Sequence, residues 1–166
     1  MLKRYIFAID PGTFESAYCF WDSGKKIILA KGIVKNEDLL TIIWDTSFNV
    51  MVIEMVASYG MPVGKEVFET VFWAGRFAQA SPYPFHRIYR KDVKSFLCGS
   101  MKAKDGNIRQ ALIDLIGPQG TKKAPGPTYG VKADEWAALS VAVVWSETQK
   151  TDRDISDTFF TADELL

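Results

Sequence analysis

Residues 3–34 read KRYIFAIDPGTFESAYCFWDSGKKIILAKGIV, and this stretch decides the architecture. The apolar run Tyr5–Ile9 ends on Asp10 and stops at Pro11-Gly12-Thr13. A second run at residues 16–22 stops at Asp22-Ser23-Gly24, and a third follows at residues 26–34. Short apolar runs divided by tight-turn residues predict an antiparallel meander of three strands.

Working outward, a short helix is expected at residues 36–44, and residues 49–54 return as a fourth strand. Its core, Val50-Met51-Val52-Ile53, is apolar throughout, as in the buried parallel interior of an α/β sheet. An irregular stretch at residues 57–64 leads into a helix at residues 65–80, where Val67, Phe68, Val71, Phe72 and Phe77 recur near helical spacing. Pro82 and Pro84 break it. A fifth strand at residues 85–89 and helices at residues 92–98, 105–116 and 132–149 complete the pattern, with a Gly/Pro/Lys loop at residues 117–130. This order predicts an α/β fold of the ribonuclease-H-like kind: a mixed five-stranded sheet, three strands in a meander plus two parallel strands, flanked by helices. Other doubly wound folds lack the opening meander. The expected division is one domain over residues 1–150 and an acidic tail over 151–166.

A chain of 166 residues, 48% hydrophobic and 13% aromatic, is long enough for a single core and is not disordered in composition. Its net charge of zero conceals segregation. Residues 76–132 carry eleven basic and three acidic side chains, whereas residues 133–166 carry two basic and eight acidic. A middle third this basic suits a polyanion, although a solvated lysine-rich surface gives the same composition. Cys19 and Cys98 lie far apart without metal or redox spacing. Reduced thiols, no signal-like N-terminus and no run that could span a bilayer give the expectation of a cytoplasmic protein with no membrane partner.

Three carboxylates stand where a folded chain normally avoids charge. Asp10 and Glu54 end buried strands, and Asp134 opens the last apolar helix. Charge at the end of a buried strand is costly unless it is paired or holds a metal. Each acid also has a plainer reading: Asp10 as a turn residue, Glu54 as the point where a strand meets solvent, Asp134 as a helix cap. Singly, the two readings are balanced; together, the order and placement favour a shared cation. Oxygen ligands suit magnesium, and His86, the one histidine, leaves no zinc spacing to compete.

Four segments resemble the RuvC-type Holliday-junction resolvases, in particular their phage and prophage members: Ala8-Ile9-Asp10-Pro11-Gly12; Val52-Ile53-Glu54; Val93-Lys94 with Gly99, Ala103 and Lys104-Asp105; and Asp134 with Ala138-Leu139 and Ala142. The third segment discriminates best, helped by Leu97-Cys98-Gly99-Ser100. The first is shared with actin-like ATPases, which generally need a second such domain. The resemblance implies a homodimeric endonuclease that cuts four-way DNA junctions with Mg2+, for which Mn2+ substitutes. It implies Asp10, Glu54 and Asp134 as metal ligands and Lys94 as a phosphate contact near the scissile bond. The family pattern departs at two places. Its fourth acid falls on Ala137, with Glu135 as the nearby substitute although about 100° around the helix, and its second active-site lysine falls on Asp105.

Backbone phosphate contacts are expected from Arg90, Lys91, Lys94, Lys102, Lys104, Arg109, Lys122 and Lys123. Tyr59, just after Glu54, is a candidate to stack on an opened base, with core packing the equal alternative. A junction-binding protein with weak or no catalysis is the competing function, motivated by Ala137.

Overall fold

A computed structural model of the chain describes residues 4–160. Strands β1 (Tyr5–Asp10), β2 (Glu15–Asp22) and β3 (Ile27–Lys35) form the meander, and α1 (Asn36–Asp45) leads into β4 (Val50–Met55). Helix α2 (Lys65–Ala80), β5 (Phe85–Tyr89), α3 (Arg90–Cys98), α4 (Asp105–Ile116) and α5 (Glu135–Phe160) follow. The sheet order is β3-β2-β1-β4-β5, antiparallel through the meander and parallel for β1/β4 and β4/β5. This is the mixed ribonuclease-H-like sheet that the sequence predicts.

Strand alternation sorts the core into two layers. Ile6 and Ala8 of β1 with Val50 and Val52 of β4 pack under α3, α4 and α5, against Val93, Leu112 and Leu139. Phe7, Ile9, Met51 and Ile53 face the other way, onto Leu39 and Ile43 of α1 and Trp73 and Phe77 of α2. The β1–β2 turn is tied by side chains: the Gly12 amide donates to Ser16 Oγ, which donates to Asn36 Oδ1 at 2.6 Å, and Asn36 Nδ2 donates back to the Gly12 carbonyl. A Cβ at Gly12 would lie 2.2 Å from the Glu15 carbonyl oxygen, so only glycine fits this tight approach.

Several boundaries move from their expected places. Helix α3 begins at Arg90 rather than at residue 92, which makes Arg90 its first residue. Helix α5 begins at Glu135 rather than at residue 132, because the chain turns at Ala133 with φ 44°. It continues to Phe160, through much of the segment expected to be a separate tail; residues 161–166 lie outside the described residues. On α2 the aromatic row splits, with Trp73 and Phe77 buried and Phe68 and Phe72 exposed. Among the described residues no helix is long and apolar enough to cross a membrane.

Glu135 fastens the start of α5. Its Oε2 accepts the Lys132 amide at 2.9 Å and Lys31 Nζ at 2.8 Å, and Lys31 also donates to the Gly130 carbonyl at 2.6 Å. The bond to the Lys132 amide ties the turn that precedes α5 to the first residue of the helix. Glu135→Ala should therefore lower unfolding stability by about 2 kcal/mol, the scale of a lost charge-assisted hydrogen bond at a buried site, as read by urea denaturation. An unchanged urea midpoint would mean that the Lys31–Glu135 pair does not anchor the helix.

Candidate metal centre and nucleic-acid interface

Parity and register build the site. Asp10 follows Ile6 and Ala8 in period two, and Glu54 follows Val50 and Val52, so both carboxylates belong to the α5 face of the sheet. The β1/β4 ladder runs through Ile9↔Ile53, one step short of Asp10 and Glu54 on neighbouring parallel strands. Strand β5 continues the row. Ile88 pairs with Glu54 and packs on the α5 side, and Arg90 stands two residues beyond it. Charge thus collects at the carboxyl ends of three adjacent parallel strands, where open α/β sheets bind ligands.

Glu54 is buried and yet ionically engaged. Its Oε1 accepts Arg90 Nη1 at 2.9 Å, while Oε2 is buried with no hydrogen-bond partner. Arg90 Nη2 donates to Asp105 Oδ1 at 2.6 Å, so one guanidinium spans two carboxylates. Burial pushes the Glu54 carboxyl up, against the pull of Arg90, while Lys94 also favours its ionised form. Arg90 and Lys94 are four residues apart on α3 and both act on Glu54. Asp10 is pushed from 3.8 up to about 8, first by burial and then by the Glu54 charge; Asp134 and Asp105 raise it further and Arg90 lowers it.

Asp134 is exposed just ahead of α5, and its carbonyl accepts the Ala138 amide. Asp134 and Asp10 line one open cleft, together with Pro11, Gly12 and Glu15. Among the described residues, however, no three acids, histidines or cysteines stand close enough to make a ready-formed metal cage. The donor set still fits a hard divalent cation in kind. It is all oxygen, and the orphaned Glu54 Oε2 is a buried acceptor that lacks a donor or an ion.

Two expected roles are corrected. Glu135 does not stand in for the missing fourth acid, because its carboxylate is spent on Lys31 and the Lys132 amide. Arg90 is not a free phosphate contact, since Glu54 and Asp105 hold it. Arg109 is also engaged, donating to Gln119 Oε1 and lying 5.1 Å from the centroid of the Trp136 ring. Lys91 Nζ stands 5.1 Å from the centroid of the exposed Tyr59 ring, which joins two expected DNA contacts in one cation–π pair. Lys102, Lys104, Lys122 and Lys123 are exposed in loops or at loop ends. Asp105 joins this charged cluster through Arg90, and sequence reasoning did not place it among the carboxylates. The signals for its cluster were available: Arg90 shares the parity of Ile88, and Asp105 opens α4.

No family model matches this chain, and no curated protein matches its sequence. Solved structures do. The structure of RuvC from Thermus thermophilus is 18% identical, with a TM-score of 0.58 over 84% of this chain and 92% of that one. T. thermophilus RuvC in complex with a Holliday junction substrate gives 16% identity and a TM-score of 0.59 over 85% and 92%. The yeast mitochondrial Holliday junction resolvase Ydc2 gives 15% and 0.54 over 95% and 86%. The chain therefore has a RuvC-like fold within the ribonuclease-H-like architecture.

The titration of Asp10 carries a stability consequence. Its carboxyl binds a proton in the folded chain up to about pH 8 but gives it up near pH 4 when unfolded. Between those values the native state holds the extra proton, so metal-free stability falls as pH rises. In chelator, the thermal midpoint of the wild type should drop relative to Asp10→Asn between pH 5 and pH 8. Parallel curves for the two proteins would show that Asp10 is not the titrating group.

Proposed function

We propose that this chain is a divalent-metal-dependent endonuclease that cuts four-way or otherwise branched DNA, acting as a homodimer. The observation that carries the reading is that Asp10 and Glu54 end adjacent parallel strands, with Asp134 lining the same cleft as Asp10 and the buried Glu54 Oε2 left without a partner. The RuvC-like fold supports it, since two of the similar structures are named as RuvC bound to a Holliday junction and as a Holliday junction resolvase. The phage-like branch rests on the run Leu97-Cys98-Gly99-Ser100.

In this reading Asp10, Glu54 and Asp134 hold Mg2+ or Mn2+. The bound ions supply Lewis-acid polarisation of the phosphodiester and a more acidic water. The side chains set position. Lys94 offers its charge to the phosphate beside Glu54, and Lys91 with Tyr59 forms an exposed cationic and aromatic edge for a strand leaving the junction. Lys102, Lys104, Lys122 and Lys123 track the duplex arms through phosphate contacts that carry no sequence information. Attack by water on phosphorus with expulsion of the 3′-oxygen leaves a 5′-phosphate and a 3′-hydroxyl.

A labelled four-way junction should be cut in Mg2+ and not in chelator, and a linear duplex of the same sequence should survive. Asp10→Asn should lower cutting by about 10³-fold or more, in line with the loss of an essential catalytic group, while junction binding persists. Equal cutting of junction and duplex would remove the structure selectivity. Binding without any cutting would favour the binding-only reading, for which Ala137 at the fourth-acid position and Arg90 seated on Glu54 both speak.

The exposed face of α2 supports the dimer. Phe68 and Phe72 lie one turn apart and are 65% and 62% exposed, with Val71 also exposed. Two-fold pairing of this face would bury them and present two sites to a two-fold junction. Phe68→Glu/Phe72→Glu should yield a monomer by sedimentation and lose paired cuts, whereas an unchanged sedimentation coefficient would place the interface elsewhere.

A further inference from the structure

Ala137 stands one turn beyond Asp134 and brings no carboxylate to the site. The space it leaves is structured. A cavity of about 50 Å3 is bounded by Arg90, Asp105, Asp134, Trp136 and Ala137, among others. Two carboxylates from different elements, one before α5 and one at the head of α4, therefore share a small recess with the guanidinium that reaches Glu54, while Ile108, Ala133 and Trp136 form its apolar wall. The volume accommodates an ion with accompanying water.

The Arg90–Asp105 contact is not explained as a stabilising surface pair. The Asp105 side chain is 82% exposed, and exposed ion pairs contribute little to stability. Its charge nevertheless bears on both Asp10 and Glu54, so it belongs to the same electrostatic cluster. Glu54 Oε2, in a side chain 4% exposed, lacks any hydrogen-bond partner. An orphaned buried carboxylate oxygen is expensive and marks a place where a further positive ligand belongs.

We propose that Asp105 is the fourth carboxylate of the divalent-cation site, delivered by α4 in place of an acid at position 137, and that Arg90 holds it as resident counter-cation when no metal is bound. This rests on the metal-dependent reading above. It assigns a ligand role to a residue at which the family pattern carries a lysine, and it makes Arg90 a positioning residue. The guanidinium neutralises Glu54 and Asp105 together, and its displacement frees one oxygen of each for a cation that prefers oxygen ligands. Because Asp105 opens α4 and is exposed, it can rotate without disturbing the core.

The test is direct Mn2+ binding to the full chain, with free Mn2+ read by electron paramagnetic resonance. The variants are Asp10→Asn, Asp105→Asn and the double variant Asp105→Asn/Ala137→Asp. Loss of a ligand should exceed the roughly tenfold that loss of a supporting partner costs, so Asp105→Asn should weaken Mn2+ binding more than tenfold. Restoring a carboxylate at position 137 in that background should recover most of the affinity. Wild-type affinity in Asp105→Asn, with Asp10→Asn impaired, would overturn the assignment and leave the metal-dependent nuclease reading intact. Failure of the double variant to recover binding would also overturn it, by showing that Asp105 acts only through Arg90. Absence of Mn2+ binding by the wild type would remove both.

Discussion

The parallel pairing of β1 with β4 and of β4 with β5 is the constraint on which the site depends. In parallel strands every carboxyl end points the same way, so residues that end three neighbouring strands arrive at one edge. Here those residues are Asp10, Glu54 and, just past β5, Arg90. Period two then decides the face: each follows apolar residues that pack under α5, and so each charge emerges on the side that α5 covers. The meander on the other flank of β1 gives that central strand a partner on each side. A one-residue slip of β4 would turn Glu54 into the layer held by α1 and α2.

Burial makes this edge electrostatically expensive, and Arg90 is how the fold tolerates it. Burial disfavours the charged form of Asp10 first, and the neighbouring Glu54 carboxylate adds to it, which is why Asp10 is pushed so far up. A guanidinium offers several donors in one plane and can satisfy two acids at once, which a lysine ammonium does less well. Its grip on Glu54 and Asp105 satisfies one oxygen of each and leaves Glu54 Oε2 unmet. The arrangement is thus held in part by the protein's own cation and remains open to another. The lack of a ready-formed cage among the described residues is consistent with that geometry, because Arg90 lies on the acids that such a cage would use.

Much of the fold is legible in the sequence because its signals are local. Apolar runs with turn residues between them mark the meander, and the uninterrupted Val50–Ile53 run marks a strand buried on both faces. Asp10 and Glu54 are legible for the same reason, as charges at strand ends. What the sequence conceals depends on tertiary contact. Glu135 reads as a spare ligand beside Asp134, but Lys31, distant in the chain, takes it. Arg90 reads as one more lysine-like phosphate contact among many, yet it is the first residue of α3 and turns inward. Asp105 looks like an ordinary first-turn helix acid until α4 packs against α3, whose first residue brings the guanidinium to it.

The same contrast explains why the basic middle third is a poor guide to individual roles. Of its charges, Arg90 and Arg109 are committed within the fold, the first to carboxylates and the second to Gln119 and the Trp136 ring. Lys91 is turned onto Tyr59, and Lys94 acts on Glu54. Lys102, Lys104, Lys122 and Lys123 face solvent from the α3–α4 and α4–α5 connections. Positive charge therefore falls into an inner set that balances the acids and an outer set available to a polyanion. An outer set alone would serve any duplex through counterion release. In the proposed function the inner set would link the loops to the carboxylates, so that a strand drawn to the loops would meet Glu54, a carboxylate that is buried and, among the described residues, incompletely matched.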